Sequence, residues 1–172
     1  MAQKRQQVTG TVTFEKARMI FKNFSGAPSR YNKEGQKNFC VIIPDMETAD
    51  QLAHDGWNVK MLKARDDEEM DRPYLKVNVT FKGPRPPKVV MITSSGRTVL
   101  DEDTIGTLDF ADILEVDMIV RPYNWENGDD YGVSAYLKTM YVTIDEDDLE
   151  RKYAMPVPAP NDDFEEGLPF ND

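Results

Sequence analysis

Strand-type alternation constrains this chain more than any other feature. Across residues 132–144, Val133, Ala135, Leu137, Thr139, Tyr141 and Thr143 alternate with Ser134, Tyr136, Lys138, Met140, Val142 and Ile144. Side chains repeat their face every second residue in a strand and every 3.6 residues in a helix, so so long a run reads as one extended strand. Asn127-Gly128 just upstream is a tight-hairpin signal, which makes residues 116–123 the partner strand. The same alternation marks residues 8–14, continued after a bend by 17–24, and residues 57–62 and 74–81. Residues 38–43 are the most apolar short run and read as a central strand, and residues 89–93 form another, turned by Ser94-Ser95-Gly96-Arg97. Asp45 is a helix N-cap and Gly56 a stop, which predicts one short helix over 46–55. Residues 101–112 are mixed, with a turn or short helix. Five to seven strands with one helix and no βαβ alternation indicate an all-β small barrel or sandwich.

Composition bounds the rest. The sequence has 172 residues, 40% apolar and 30% charged, enough for one domain with its own core. A single cysteine, Cys40, and a single histidine, His54, exclude an internal disulfide framework and any zinc site built on several cysteines. No apolar run approaches the ~20 residues that span a bilayer. The first residues carry charge with no apolar stretch behind it, unlike a secretory signal. The expectation is a soluble cytoplasmic domain with no membrane partner.

The net charge of −10 argues against a polyanion ligand until its distribution is followed. Residues 1–44 hold eight Lys or Arg against two Glu, a local excess of +6, whereas residues 145–150 and 154–172 each carry −5. A basic front and an acidic back point to a polyanion partner plus an acidic tail. From residue 154 the composition shifts. Met155-Pro156-Val157-Pro158-Ala159-Pro160 and the acids beyond it cannot supply a core, so residues 154–172 are expected to form a disordered tail behind a domain of residues 1–153.

Enzyme chemistry finds little support. Asp101, Glu102 and Asp103 with Asp109 and Asp112 could be imagined holding a hard cation, but the spacing and glycine of a calcium loop are missing, and an acidic turn explains them. His54 has no acid–nucleophile set around it. Cys40 in the most apolar strand reads as a buried thiol. Gly83-Pro84-Arg85-Pro86-Pro87-Lys88 lacks the glycine spacing of a phosphate loop. The chain is therefore read as non-enzymatic, without cofactor or metal.

Binding is better supported, because basic and aromatic residues interleave at 18–24, 30–33 and 121–125, the last leading to Tyr131 and Tyr136. Unpaired nucleic acid needs this mixture, with cations for phosphates and flat rings for bases. Arg18, Lys22, Arg30, Lys33, Lys37, Arg85, Lys88 and Arg121 are the phosphate candidates. Tyr31, Tyr123, Trp125 and Tyr131 are the stacking candidates, with Phe24 and Tyr74 behind them, whereas Phe21, Phe39 and Phe81 are expected in the core. In the tail, Asp162, Asp163, Phe164, Glu165, Glu166, Leu168, Pro169 and Phe170 place apolar residues among carboxylates. Such a peptide imitates nucleic acid or docks a partner. Solubility alone does not call for Leu168-Pro169-Phe170.

Asp163-Phe164-Glu165-Glu166-Gly167-Leu168-Pro169-Phe170 resembles the acidic tip of bacterial single-stranded DNA-binding proteins, although here Asn171 and Asp172 follow the phenylalanine. The body resembles bacteriophage single-stranded DNA-binding proteins of OB-fold type: residues 31–44 look like their basic loop and following strand, 89–97 like the middle hairpin, and 116–124 with 132–142 like the closing hairpin. The resemblance implies an OB-type barrel that binds single-stranded DNA without regard to sequence in phage replication, recombination or repair, inside the infected bacterial cell. It also implies a tail that competes with DNA and recruits replication or recombination proteins. The oligomeric state stays open, a homodimer included. Two rivals remain: a phage structural or assembly β-domain docking through its tail, and a metal-dependent nuclease using Asp101, Asp103, Asp109 and Asp112.

Overall fold

The long closing hairpin is the backbone of the fold. In the computed structural model, which describes residues 7–30, 32–63 and 71–145, the strands are β1 (Val12–Phe14), β2 (Arg18–Asn23), β3 (Lys37–Ile42), β4 (Val59–Leu62), β5 (Arg72–Val79), β6 (Lys88–Thr93), β7 (Gly96–Leu100), β8 (Ile113–Asn127) and β9 (Asp130–Ile144). The helix α1 spans Met46–Asp55 and a 3-10 helix spans Ile105–Asp109. Among the described residues nine strands form, against the five to seven expected. The surplus comes from the bend that splits residues 12–23 into β1 and β2, and from β7, which continues the turn after β6 as a strand.

The strands follow the path β1-β8-β9-β5-β3-β2, with β4 joined to β5, β6 joined to β9 and β7 joined to β6. Pairing is antiparallel except where β5 and β6 lie parallel to β9. The two ends of the path, β1 and β2, are consecutive in the chain. Lys16, at a positive φ of 51°, turns the corner between them, and the Ala17 N–H donates to the Val116 carbonyl at 2.8 Å. β1 and β2 do not pair with each other, so the covalent chain rather than a ladder spans the last gap. The result is the partly open Greek-key barrel of an OB-type fold.

The barrel is filled by Phe39, Val41, Leu75, Val77, Val116, Met118, Val120, Leu137, Met140 and Val142, all buried in one cluster. Helix α1 adds Ala49 and Leu52 to it. It begins where expected, because the Asp45 carboxylate accepts from the Thr48 N–H at 2.6 Å, and ends on Gly56 at φ 113°. Among the described residues no helix is long and apolar enough to cross a membrane.

Three expectations change. Residues 8–14 form only the short β1, since Gly10 at φ 84° breaks the run; Val8 instead exchanges two hydrogen bonds with the Asn124 side chain, both 2.9 Å. Phe24, a stacking candidate, is fully buried with its ring 5.3 Å from that of Phe39, and a ring with no exposed surface cannot stack on a ligand. Phe21, expected inside, is 61% exposed. Both follow from a bulge in β2 between Ile20 and Asn23, where Phe21 sits at φ 52° and the side-chain order is reset. Tyr31 and the acidic tail, with Asp162, Asp163, Phe164, Glu165, Glu166, Leu168, Pro169 and Phe170, lie outside the described residues.

Candidate nucleic-acid interface

Beyond the barrel the β8–β9 hairpin carries an aromatic and cationic stripe on its outer face. Cross-strand partners share a face, and Arg121 lies opposite Tyr136, Tyr123 opposite Ser134, and Trp125 opposite Gly132. The Arg121 guanidinium stands over the Tyr136 ring at 5.3 Å, and Tyr123 meets Tyr136 edge-on at 5.9 Å. Tyr123 is 53% exposed. Trp125 packs against Gly132: a Cβ built there would lie 2.7 Å from the indole Cζ2, so only glycine leaves room for the ring where it stands. Further along the hairpin, Lys88 stands 5.9 Å from the Tyr141 ring. Tyr131 pairs with Glu126, and that alternation puts it on the other face, away from Tyr123 and Trp125.

Tyr136 and Tyr141 reach one face through an irregularity. Five positions apart, they would fall on opposite faces of a regular strand. Instead Val120 pairs with Leu137 and Ile119 with Thr139, so Lys138 is the extra residue of a bulge. Leu137 and Ala135 before it point inward, and so do Met140 and Val142 after it. The strict alternation expected for residues 132–144 therefore changes phase once.

The stripe continues across the sheet. Tyr136 neighbours Asn78, Asn78 pairs with Asn38, and Asn38 pairs with Asn23, which makes a polar row from β8 to β2. At its far end lies the basic loop of residues 24–36. Asn32 Nδ2 shares its two hydrogens among the carbonyls of Ala27, Lys33 and Gln36 at 3.1, 3.1 and 2.8 Å, and its Oδ1 accepts from Asn38 at 2.8 Å. Asn23 exchanges two hydrogen bonds with the backbone of Ala27. The Asp109 carboxylate accepts from the N–H groups of Phe24 and Ser25 at 2.7 and 2.9 Å. The loop's neck is tight. Gly35 N–H donates to Gly26 O at 2.8 Å, and a Cβ on Gly26 would come within 3.0 Å of Gly35. Exposed Arg30 and Lys33 are thus carried on a loop fixed to the same face as Arg121 and Tyr136.

The other candidates disperse. Lys22 turns away and donates to the Leu108 carbonyl at 3.1 Å. Lys37 is half-buried at the start of β3, and Arg85 sits exposed in the turn after β5. Arg18 and Tyr74 lie on the outer face of the barrel, at two positions on either side of Ile42. Cys40, buried on that same side, has its thiol pKa raised by desolvation, against the pull of Lys76 and Lys60. Two of the carboxylates weighed as a metal site hold the chain around them instead. Asp109 holds the loop, and Asp101 is lowered by hydrogen bonds from the Thr104 hydroxyl first, then from the N–H groups of Thr104 and Asp103. Among the described residues no three His, Cys, Asp or Glu side chains gather as metal ligands.

A family model described as "Putative phage ssDNA-binding domain" matches residues 1–168. The chain belongs to this family of phage ssDNA-binding domains. Its fold is similar to the solved single-stranded DNA-binding protein from bacteriophage Enc34, with a TM-score of 0.52 over 85% of this chain and 89% of that one, at 12% identity. The structure of the Enc34 protein in complex with ssDNA gives a TM-score of 0.53 at 12% identity, covering 85% of this chain and 95% of the other. At that identity the likeness is one of fold. No curated protein sequence matches.

Tyr136 ends the third basic and aromatic run but is absent from the stacking candidates, and Tyr141 is absent from both, although both are aromatic residues in the best-marked strand. The signal that would have found them is the break in apolar phase between Leu137 and Met140. Sequence reasoning also passed over Lys60, Lys76 and the asparagines, which read as ordinary polar positions until the strands are paired.

Proposed function

We propose that this chain binds single-stranded DNA, without regard to sequence, along the outer face of the β8–β9 hairpin and the polar row that leads from it to the basic loop. The observation that carries the reading is the Arg121–Tyr136–Tyr123 cluster: a cation and two rings held in contact on an exposed sheet face. The Nε of Arg121 is buried with no hydrogen-bond partner among the described residues. Leaving a buried donor unpaired costs about 1–3 kcal/mol, and a guanidinium held over the Tyr136 ring before the ligand arrives has further N–H groups to offer a phosphate. Tyr123 and Trp125 are the stacking rings; Arg121, Lys88, Arg30 and Lys33 hold phosphates. Stacking and charge act on any base, which suits a protein that coats DNA.

In this reading residues 1–153 are the DNA-binding domain and residues 154–172 an acidic tail. The protein acts in the cytoplasm of the infected cell during replication, recombination or repair, and is not an enzyme. The tail competes with DNA for the basic face and recruits replication proteins. Tethering holds it at roughly millimolar effective concentration, so a weak contact suffices.

A fluorescence titration with oligo-dT over a range of salt tests the core of this. Log affinity should fall against log salt with a slope of about −0.7 per phosphate neutralised. A flat salt dependence removes the electrostatic half of the account. Deleting residues 154–172 should tighten binding, most at low salt; unchanged affinity removes the competition.

A further inference from the structure

The outer face of the barrel holds a second group of rings and cations, about four residues along β5 from the polar row, roughly 13 Å away. Arg18, Ile42, Tyr74 and Lys60 lie in one register row across β2, β3, β5 and β4, and Ile20, Cys40 and Lys76 lie in the next. Arg18, Lys60 and Lys76 are exposed. Lys76 and Lys60 both act on the Cys40 thiol, which sits in the floor of the patch. Over this floor Phe21 meets Tyr74 edge-on, with ring centroids 6.4 Å apart.

Phe21 is the telling residue. A phenylalanine that served only packing would be inside, yet this one is 61% exposed. It is also held at φ 52°, in the left-handed region that residues with a Cβ avoid. Backbone strain of this kind collects at binding sites, where surrounding structure enforces it. Here the bulge enforces it, and its effect is to stand a flat apolar ring against Tyr74, whose register row and the next carry Arg18, Lys60 and Lys76, on the face that also carries the polar row.

We infer that Phe21 and Tyr74, with Arg18, Lys60 and Lys76 around them, form a second station for an unpaired base and its phosphates. This inference rests on the hairpin reading and extends it: one strand of nucleic acid would stack at Tyr123 and Trp125, cross the asparagine row, and stack again at Phe21. The occupant is a single-stranded polynucleotide because the patch is cationic, its rings are flat and it continues the face already described.

The test compares full-length wild-type protein with Phe21→Ala, Phe21→Leu and Lys60→Gln/Lys76→Gln, using oligo-dT of about 16 nucleotides, near the upper end of what one OB fold covers. Phe21→Ala and Phe21→Leu should both weaken binding about fivefold or more, because leucine keeps the apolar character and loses the flat surface. The double glutamine variant, at exposed positions that do not threaten folding, should make the salt slope shallower by about 0.7 per lysine. Unchanged affinity in Phe21→Ala, or an unchanged slope in the lysine variant, overturns the second station. A change in sedimentation at constant affinity would mark the patch as a protein contact and also overturns it. Tyr123→Ala serves as the reference: if it weakens binding while Phe21→Ala does not, the hairpin site stands alone. If wild type binds no oligonucleotide, the hairpin reading itself fails.

Discussion

Placing a methyl group on Gly132 probes the stripe without removing any of its rings. The added Cβ would lie 2.7, 2.9 and 3.1 Å from Cζ2, Cε2 and Nε1 of Trp125. Carbon atoms settle at about 3.5–4.0 Å, so the indole has to lift by roughly 1 Å or swing aside. Overpacking in a closed core costs about 1–3 kcal/mol, but Trp125 is half-buried at the far end of a hairpin and has room to move. Alanine also reduces the freedom of the unfolded chain by about 0.4–1 kcal/mol. The two effects oppose each other, so Gly132→Ala should shift stability by less than about 1 kcal/mol. Binding should respond more. A ring displaced by 1 Å loses part of a stacking contact worth about 1–3 kcal/mol, which predicts a several-fold weaker affinity for oligo-dT. Tryptophan emission supplies the check: Trp57 is buried and gives a fixed background, while Trp125 should shift red in the variant and be quenched less by DNA. A red shift with undiminished affinity would remove Trp125 from the interface. Unshifted emission would mean that the ring does not rest on Gly132.

Three other outcomes follow from the same geometry. Tyr123→Ala should weaken oligo-dT binding about fivefold or more while leaving the melting temperature within a degree or two, because more than half of the residue is exposed; a large fall in melting temperature would make it a brace instead. Asn32→Ala frees the loop neck from four hydrogen bonds, so hydrogen exchange should rise across residues 26–36 and DNA affinity should fall with little loss of global stability; unaltered exchange would show that the network does not order the loop. Burial raises the Cys40 thiol pKa, so the native protein should react with a disulfide reagent far more slowly than a free thiol does at the same pH. The sign for stability follows. The neutral thiol's contribution is complete below the ordinary cysteine pKa and disappears as pH rises through the raised one, so Cys40→Ala should flatten the alkaline limb of a stability profile.

Some of this was legible in the sequence and some was not, and the boundary is physical. Helix α1 was readable to the residue because Asp45 and Gly56 act on their own neighbours. The closing hairpin was readable because Asn127-Gly128 requires a turn wherever it occurs, and Gly128 does adopt φ 65°. The order of strands along the barrel was not readable from pattern; it entered through resemblance. The bulge in β2 was invisible, since a one-residue slip depends on the partner strand, and the one in β9 left only the break in apolar phase between Leu137 and Met140. Each slip exchanged a pair of assignments. In β2 it turned Phe21 out and Phe24 in, and in β9 it brought Tyr136 and Tyr141 to one face. Residue type identified Arg121, Tyr123 and Trp125 as a group because they alternate on one regular stretch. It could not show that Lys22 spends its ammonium on Leu108, or that Tyr131 faces the other way.

The glycine neck of the basic loop has an evolutionary and practical consequence. Gly26 and Gly35 close the base and Asn32 gathers the backbone above it, so backbone and Asn32 contacts hold the shape of the loop. Lengthening a loop costs only about 0.6 kcal/mol per doubling, so variants at its tip can differ in charge and reach while the barrel stays intact. That tip is where a relative, or an engineer, would retune grip strength without rebuilding the protein, whereas either neck glycine would resist replacement.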